Sequence, residues 1–420
     1  MGRSTNVRPH CNGGAGRGYP GSHPAPMPSI VATAAGLPAH RYPQGRLTEQ
    51  VQALWAGEGV NLDRVASLHA NTTIEARYTA EPLGRYAEMG GWADLNAAYL
   101  RAATDLAERA LVALLDQVEI GFEDVAHLAV FSTTGVAVPS LDARLMNRLP
   151  FAPTLRRTPV YGLGCAGGAG GVARVADYLA GHPAEAAAAV AVETCSLTVH
   201  AGDTSVANQI ATGLFGDAAA AVLLVGDEHA LAGRNASAGH PGGLRPAPLA
   251  TPPASSGDGA AGDAGDVAVR PGGAALGPRV VASQSVFFPD TERHMGWDVT
   301  DAGMKIVLSG DVPRTARDGL RPHVEAFLAE HGLGVADVGR WLCHPGGPKV
   351  VDAIEDGLGL APGRLDDTRD LLRRVGNVSS ASVLLLLDEA MRAAAEPTGT
   401  WGLMLAMGPG FGAELVLLRW

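Results

Sequence analysis

Three side chains in this sequence stand where polar groups do chemistry: Cys165, His344 and Asn377. Each follows a short apolar run or a glycine turn, precedes a helical pattern and lies among glycines, in GLGCAGGAGG, CHPGGP and RRVGNVSSAS. The thiolate is the reactive form of cysteine. Unpaired N–H groups and the dipole at a helix start favour negative charge, so Cys165 is expected to ionise more easily than a free thiol. A cysteine with a histidine gives an ion pair that activates the thiolate, and a histidine with an asparagine gives two neutral donors for an oxyanion. Singly, each has an ordinary structural reading: a small buried cysteine, a structural histidine, an asparagine cap. Together they describe a nucleophile beside an oxyanion site.

Residues 158–179 position the cysteine. They read as a short apolar strand, a sharp turn at Gly162 and Gly164, and a helix with Val172, Val175, Ala176 and Leu179 on one face. Residues 186–192 are apolar on both faces and predict a central strand. Residues 128–132 predict another strand, followed by a loop with Thr133, Thr134 and Val138 where an open α/β sheet takes ligands. Helices are expected over 47–57, 95–118 and 312–332, whereas 77–86 is polar and reads as irregular. Phe215, between Gly213 and Gly216, is either a core aromatic or faces a cleft. Trp297 and Ile306 fall on a predicted hairpin, and residues 341–343 on a short strand ending at His344. Asn377 falls at or near a helix N-cap, and two apolar runs close the chain as a hairpin.

The chain of 420 residues carries a net charge of −11, is 46% hydrophobic, and has no apolar run long enough to span a membrane. That balance argues against non-specific nucleic-acid binding. Cys11, Cys165, Cys195 and Cys343 show no metal-ligand spacing, which fits a reducing cytoplasm and no bound metal. Residues 1–27 read as a disordered leader, and 229–278, rich in Gly, Ala, Pro and Ser, as a flexible insertion. Between and after them, 28–228 and 279–420 run through elements in similar order. Two duplicated halves packed about a pseudo-twofold would aim two helix N-termini at one centre.

GCAGG, CHPGGP, GNVSSAS and AMGPGFGAE resemble the signature segments of type III polyketide synthases, the chalcone synthase-like family. The resemblance covers nearly everything from Ser29 onward except 229–278. It implies an α/β thiolase-like fold layered αβαβα, and a homodimer that loads an acyl-CoA starter on cysteine and extends it with malonyl-CoA by decarboxylative Claisen condensation. It implies no metal, cofactor or acyl carrier. Residue by residue, Cys165 becomes the acylated nucleophile. His344 and Asn377 become the pair that holds the thioester oxygen of malonyl-CoA, and Phe215 the gatekeeper between coenzyme A tunnel and cavity. By motif position the pocket is Thr133, Val138, Cys195, Thr198, Phe215, Trp297 and Ile306. Coenzyme A falls to Arg64, Gly346, Gly347 and Lys349.

The sequence departs from the plant pattern at several places. Ile306 replaces the second gatekeeping phenylalanine, and Ala406 the first glycine of the C-terminal motif. Ser67 and Asn71 stand at two basic positions for the coenzyme A phosphates. The mainly aliphatic pocket, with MGWDVTDAG, resembles bacterial alkylpyrone and alkylresorcinol synthases and implies a fatty acyl-CoA starter. Two alternatives remain open. One is a carrier-dependent ketoacyl synthase III, whose histidine segment typically reads HQAN where this chain has HPGGP; the other is a catalytically silent acyl-binding protein on the same fold.

Overall fold

The computed structural model describes residues 26–199, 201–232, 277–301, 303–393 and 396–420. The leader, with Cys11, and nearly all of the insertion lie outside the described residues.

The first half contains β1 (Ser29–Gly36), β2 (His40–Pro43), α1 (Gln44–Leu54), α2 (Leu62–Ala70), β3 (Ala76–Thr79), α3 (Leu83–Tyr86) and α4 (Trp92–Leu115). It continues with β4 (Val125–Phe131), α5 (Leu141–Leu145), β5 (Arg156–Val160), α6 (Gly167–Ala180), β6 (Ala186–Thr194), α7 (Val206–Leu214) and β7 (Asp217–Val225). The second half opens with β8 (Arg279–Phe287), the hairpin β9 (Met295–Thr300) and β10 (Gly303–Leu308), α8 (Val312–Ala329) and β11 (Val338–Cys343). Then come α9 (Pro348–Leu358), α10 (Asp366–Val375), α11 (Ala381–Arg392), β12 (Trp401–Gly408) and β13 (Gly412–Arg419).

The main sheet runs β11-β12-β13-β8-β1-β7-β6-β4-β5 and pivots at β1/β8, which share the single pair Ser29↔Arg279. Outward from that pivot the halves repeat. An antiparallel pair comes first (β1/β7 and β8/β13), then another (β7/β6 and β13/β12), then a parallel pair (β6/β4 and β12/β11). The first half alone adds β5 at its edge. The duplication read from the sequence is therefore present in the pairing itself.

Helices cover both faces of each half-sheet, which is why β6 is buried throughout and reads as an apolar run from Ala186 to Val192. Alternate residues face opposite layers, as strand geometry requires. Ala187, Ala189 and Ala191 pack with α6 and α11 in the central layer, while Ala186, Ala188, Val190 and Val192 pack with α4 on the outside. The second half buries its other face under α8 and α9. The order of layers is thus α4, half-sheet, α6 with α11, half-sheet, α8 with α9, the thiolase-like αβαβα arrangement. No helix among the described residues is long and apolar enough to cross a membrane.

Two local expectations need correction. Residues 77–86 are not irregular: they contain β3 and α3, and Arg77 is buried among hydrogen-bonding partners that local pattern does not reveal. Asn377, expected at or near the N-cap, lies three residues before it, since α11 starts at Ala381 with Ser380 as its cap residue.

Candidate active site

Cys165 sits on the elbow between β5 and α6. The chain turns through positive φ at Gly162 (95°) and Gly164 (47°), then makes one tight turn over Gly164–Ala166 before α6. The Gly164 N–H donates to Thr133 Oγ1 at 3.0 Å, tying the elbow to the loop after β4. Cys165 is buried, its thiol donating to Ser379 Oγ at 3.5 Å, and the Asn377 amide also reaches it.

Asn377 is held by backbone rather than by a helix. Its N–H donates to Leu214 O at 3.0 Å, and its carbonyl accepts from the Gly216 N–H at 2.9 Å, so Phe215 and Asn377 pair across the two halves. Its Oδ1 accepts from the Ser379 N–H at 2.8 Å, leaving Nδ2 to donate to Gly346 O at 3.4 Å. His344 lies two residues before Gly346 and continues the β11/β12 ladder through its N–H to Leu405 O, 2.8 Å. It is 3% exposed, and neither Nδ1 nor Nε2 has a partner.

Burial dominates the electrostatics. It pushes the Cys165 thiol up to about 12, with Glu193 adding to the rise and the Ser379 and Asn377 hydrogen bonds opposing it. It drives the His344 imidazole down to about 3. The expectation of an easily ionised cysteine is therefore corrected. A helix terminus contributes at most about 2 kcal/mol, roughly one and a half pKa units, and losing water costs a buried thiolate more. While Cys165 keeps its proton, His344 is an uncharged hydrogen-bond donor.

The thiol opens into an apolar cavity lined by Thr133, Cys195, Phe215, Trp297 and Ile306, together with Thr134, Met295, Ser379 and Pro409. Trp297 and Ile306 are direct cross-strand partners in the β9–β10 hairpin. Beneath the cysteine lies Glu193, fully buried at the end of β6, which sequence reasoning passed over. It accepts from the Thr133 N–H (3.0 Å), Thr134 Oγ1 (3.0 Å), Ser380 Oγ (2.6 Å) and Ser379 Oγ (3.4 Å). Burial holds its carboxyl above the usual range. One acid closing an all-apolar strand was the available signal.

Comparison with known proteins decides the family. Residues 28–228 match the N-terminal domain, and residues 279–420 the C-terminal domain, of chalcone and stilbene synthases. The chain belongs to that family. It is 41% identical over 392 residues to a 1,3,6,8-tetrahydroxynaphthalene synthase of Streptomyces peucetius subsp. caesius, covering 93% of each chain. It is 26% identical to the phloroglucinol synthase of Pseudomonas fluorescens, over 91% of this chain and 98% of that one. The crystal structure of the 1,3,6,8-tetrahydroxynaphthalene synthase of Streptomyces coelicolor A3(2), a bacterial type III polyketide synthase, superposes with a TM-score of 0.77 at 26% identity. That match covers 93% of this chain and 99% of that one. The protein is a type III polyketide synthase and therefore an acyltransferase.

Within this polyketide synthase, the residues expected at the site divide. Cys165, Thr133, Cys195, Phe215, Trp297 and Ile306 share the cavity, and Asn377 adjoins it through Cys165 and Phe215. Val138 and Thr198 do not line it. Val138 is 87% exposed, since its loop turns outward beyond Thr134, and the Thr198 hydroxyl bonds back to Cys195 O at 2.7 Å. Gly346 and Gly347 immediately precede α9, while Arg64 on α2 and Lys349 on α9 are exposed.

Proposed function

We propose that Cys165 carries the acyl chain and that His344 and Asn377 hold the thioester oxygen of malonyl-CoA during decarboxylation. The orphaned imidazole supports this reading best: among the described residues, His344 alone has two buried polar side-chain atoms without partners. A buried donor left unpaired costs about 1–3 kcal/mol, a cost that an incoming carbonyl oxygen relieves.

In loading, the Cys165 proton passes to His344, and the thiolate attacks the starter thioester and displaces coenzyme A thiolate, which recovers the proton. Mutual attraction in a dry site offsets the burial penalty on the transient ion pair. In extension, the bond between the malonyl methylene carbon and its carboxylate breaks. The electron pair moves into the thioester as an enolate, whose oxygen accepts from a His344 ring N–H and Asn377 Nδ2. The enolate carbon attacks the acyl group on Cys165, and the sulfur leaves as thiolate. Neutral donors suit this step, which needs charge stabilised rather than a proton removed.

Arg64, Gly346, Gly347 and Lys349 bind coenzyme A at the entrance. The enzyme works as a homodimer, in the cytoplasm, with no metal, cofactor or carrier beyond its CoA esters. The apolar cavity favours a fatty acyl starter, extended two or three times and released as an alkylpyrone or resorcinol. A second reading, priming by malonyl-CoA itself to a tetrahydroxynaphthalene, is favoured by the 41% identical synthase. Mass spectra of products from malonyl-CoA alone and with fatty acyl-CoAs of graded length separate the two. Alkyl products that track the starter support the first reading. One starter-independent aromatic product supports the second and overturns the first, and no carbon dioxide release in either arm overturns the polyketide synthase mechanism.

A further inference from the structure

The first half contributes Phe215 to the site and the second half contributes Asn377, and the two meet at a joint with no covalent continuity. That joint sits on the C-terminal end of α7, where the last carbonyls of a helix lack partners inside the helix. Here four consecutive carbonyls find donors from elsewhere. Thr212 O accepts from Arg77 Nη2 at 2.8 Å, Gly213 O from Gln44 Nε2 at 2.6 Å, Leu214 O from the Asn377 N–H at 3.0 Å, and Phe215 O from Arg77 Nη1. Gln44 also accepts from Arg77 Nε at 2.9 Å, so the guanidinium spends all three nitrogens on this one end. A cation at a helix C-terminus is favourable, and a buried one requires such saturation.

Arg77 touches the other half as well. Its stem packs against Gly376, where a Cβ would lie 2.8 Å from Arg77 Cδ, and Gly376 (φ 76°) immediately precedes Asn377. The buried Asp217 carboxylate faces the guanidinium and is itself anchored by the Ala80 N–H (2.6 Å) and Ser196 N–H (2.7 Å).

We propose that Arg77 is a positioning residue that locks Phe215 and Asn377 into one joint and so sets the angle at which the Asn377 amide meets the substrate. The inference rests on the role assigned to Asn377 above. Replacing the planar fork by a single ammonium leaves at least one of the four carbonyls without its donor and lets the joint slip. Misplacement by about 1 Å costs on the order of a hundredfold in rate.

The test uses the full-length enzyme and two variants, Arg77→Lys and Gly376→Ala; the second crowds the Arg77 stem and leaves the guanidinium in place, should the first fail to fold. Hydrogen exchange read by mass spectrometry is expected to accelerate at least about tenfold in peptides covering 213–217 and 375–379, with the α4 and α8 peptides unchanged. Malonyl-CoA decarboxylation is expected to lose at least about tenfold in kcat, with KM within about threefold. Exchange in the two joint peptides equal to wild type in either variant overturns the proposal, whatever the activity. Accelerated exchange with unchanged kcat shows a structural clamp only and overturns the positioning role. A wild type that releases no carbon dioxide refutes the mechanism and leaves the exchange result to judge the joint.

Discussion

In the N-terminal half the inner helix α6 begins two residues after Cys165, whereas in the C-terminal half α11 begins four residues after Asn377. The strands around these turns pair in the same order, so duplication delivers both turns to one centre. The turn then decides what arrives. The short elbow puts the thiol at the base of the apolar cavity. The longer turn leaves room for Asn377 to pair with Phe215 through its backbone and for Ser379 (φ 50°) to face the thiol. On the proposed roles, one half supplies a nucleophile that burial keeps protonated, and the other supplies uncharged donors.

The largest expected effect comes from erasing the nucleophile. Cys165→Ala should abolish product, and Cys195 and Cys343, both buried and raised in pKa, should not substitute for it. A starter acyl group found by intact mass on another cysteine would refute this division of labour. Next, His344→Ala and Asn377→Ala should each slow malonyl-CoA decarboxylation at least about a hundredfold, the effect of deleting one oxyanion donor. Near-normal carbon dioxide release in both would move the oxyanion site elsewhere.

The third expectation concerns pH. Thiolate, and with it the rate of alkylation by iodoacetamide, grows as pH rises through the thiol pKa. Burial, the largest cause, holds that pKa up at about 12 while His344 is uncharged, and taking the proton onto His344 as imidazolium lowers it. His344→Ala should therefore alkylate at least about tenfold more slowly at neutral pH, with a rate rising close to tenfold per pH unit. Equal rates and slopes in variant and wild type would show that His344 does not share the proton of Cys165.

Much of this organisation was legible in the sequence, and for physical reasons. A strand buried on both faces is apolar along its run, as β6 is from Ala186 to Val192, and a sharp strand-to-helix elbow needs glycines at fixed places. What escaped was non-local. Arg77 looks like a polar loop residue until α7 brings carbonyls to it, and Glu193 is one letter in an otherwise apolar run. Val138, expected in the pocket by motif position, is exposed on the single chain, and spacing along a sequence does not encode which way its loop faces. The ease of ionising Cys165 was misjudged because a helix terminus can be read from a sequence, whereas the depth of burial cannot.

The two inner helices offer a smaller test of how closely the halves are joined. A Cβ on Gly168 would fall 2.2 Å from Ser380 O, in the turn leading into α11, whereas one on Gly170 of the same helix meets nothing nearer than 3.4 Å. Gly168→Ala should destabilise by about 1–3 kcal/mol, the usual range for overpacking. Gly170→Ala should be neutral or stabilising by up to about 1 kcal/mol, the helix propensity difference. Denaturant melts of the two variants showing the same sign would mean that the helices do not meet as tightly as this.

The smallest expected effect distinguishes the cavity from the chemistry. Ile306 lines the cavity opposite Trp297, while Val299 on the same hairpin is 82% exposed. Ile306→Trp takes volume from the distal wall without touching Cys165, His344 or Asn377. Each methylene that still finds apolar cover is worth about 0.8 kcal/mol, close to fourfold in specificity. With a fatty starter, the optimum in kcat/KM should move to shorter chains by that factor per carbon lost. With malonyl priming, products should instead release after fewer extensions. Val299→Trp, on the solvent side, should change neither. Iodoacetamide labelling of Cys165 should be unaltered in both variants, so a changed product profile can be assigned to the wall alone. An identical profile in Ile306→Trp and wild type would remove the β9–β10 hairpin from product control and leave the chain-length limit to the Thr133 and Cys195 side of the cavity.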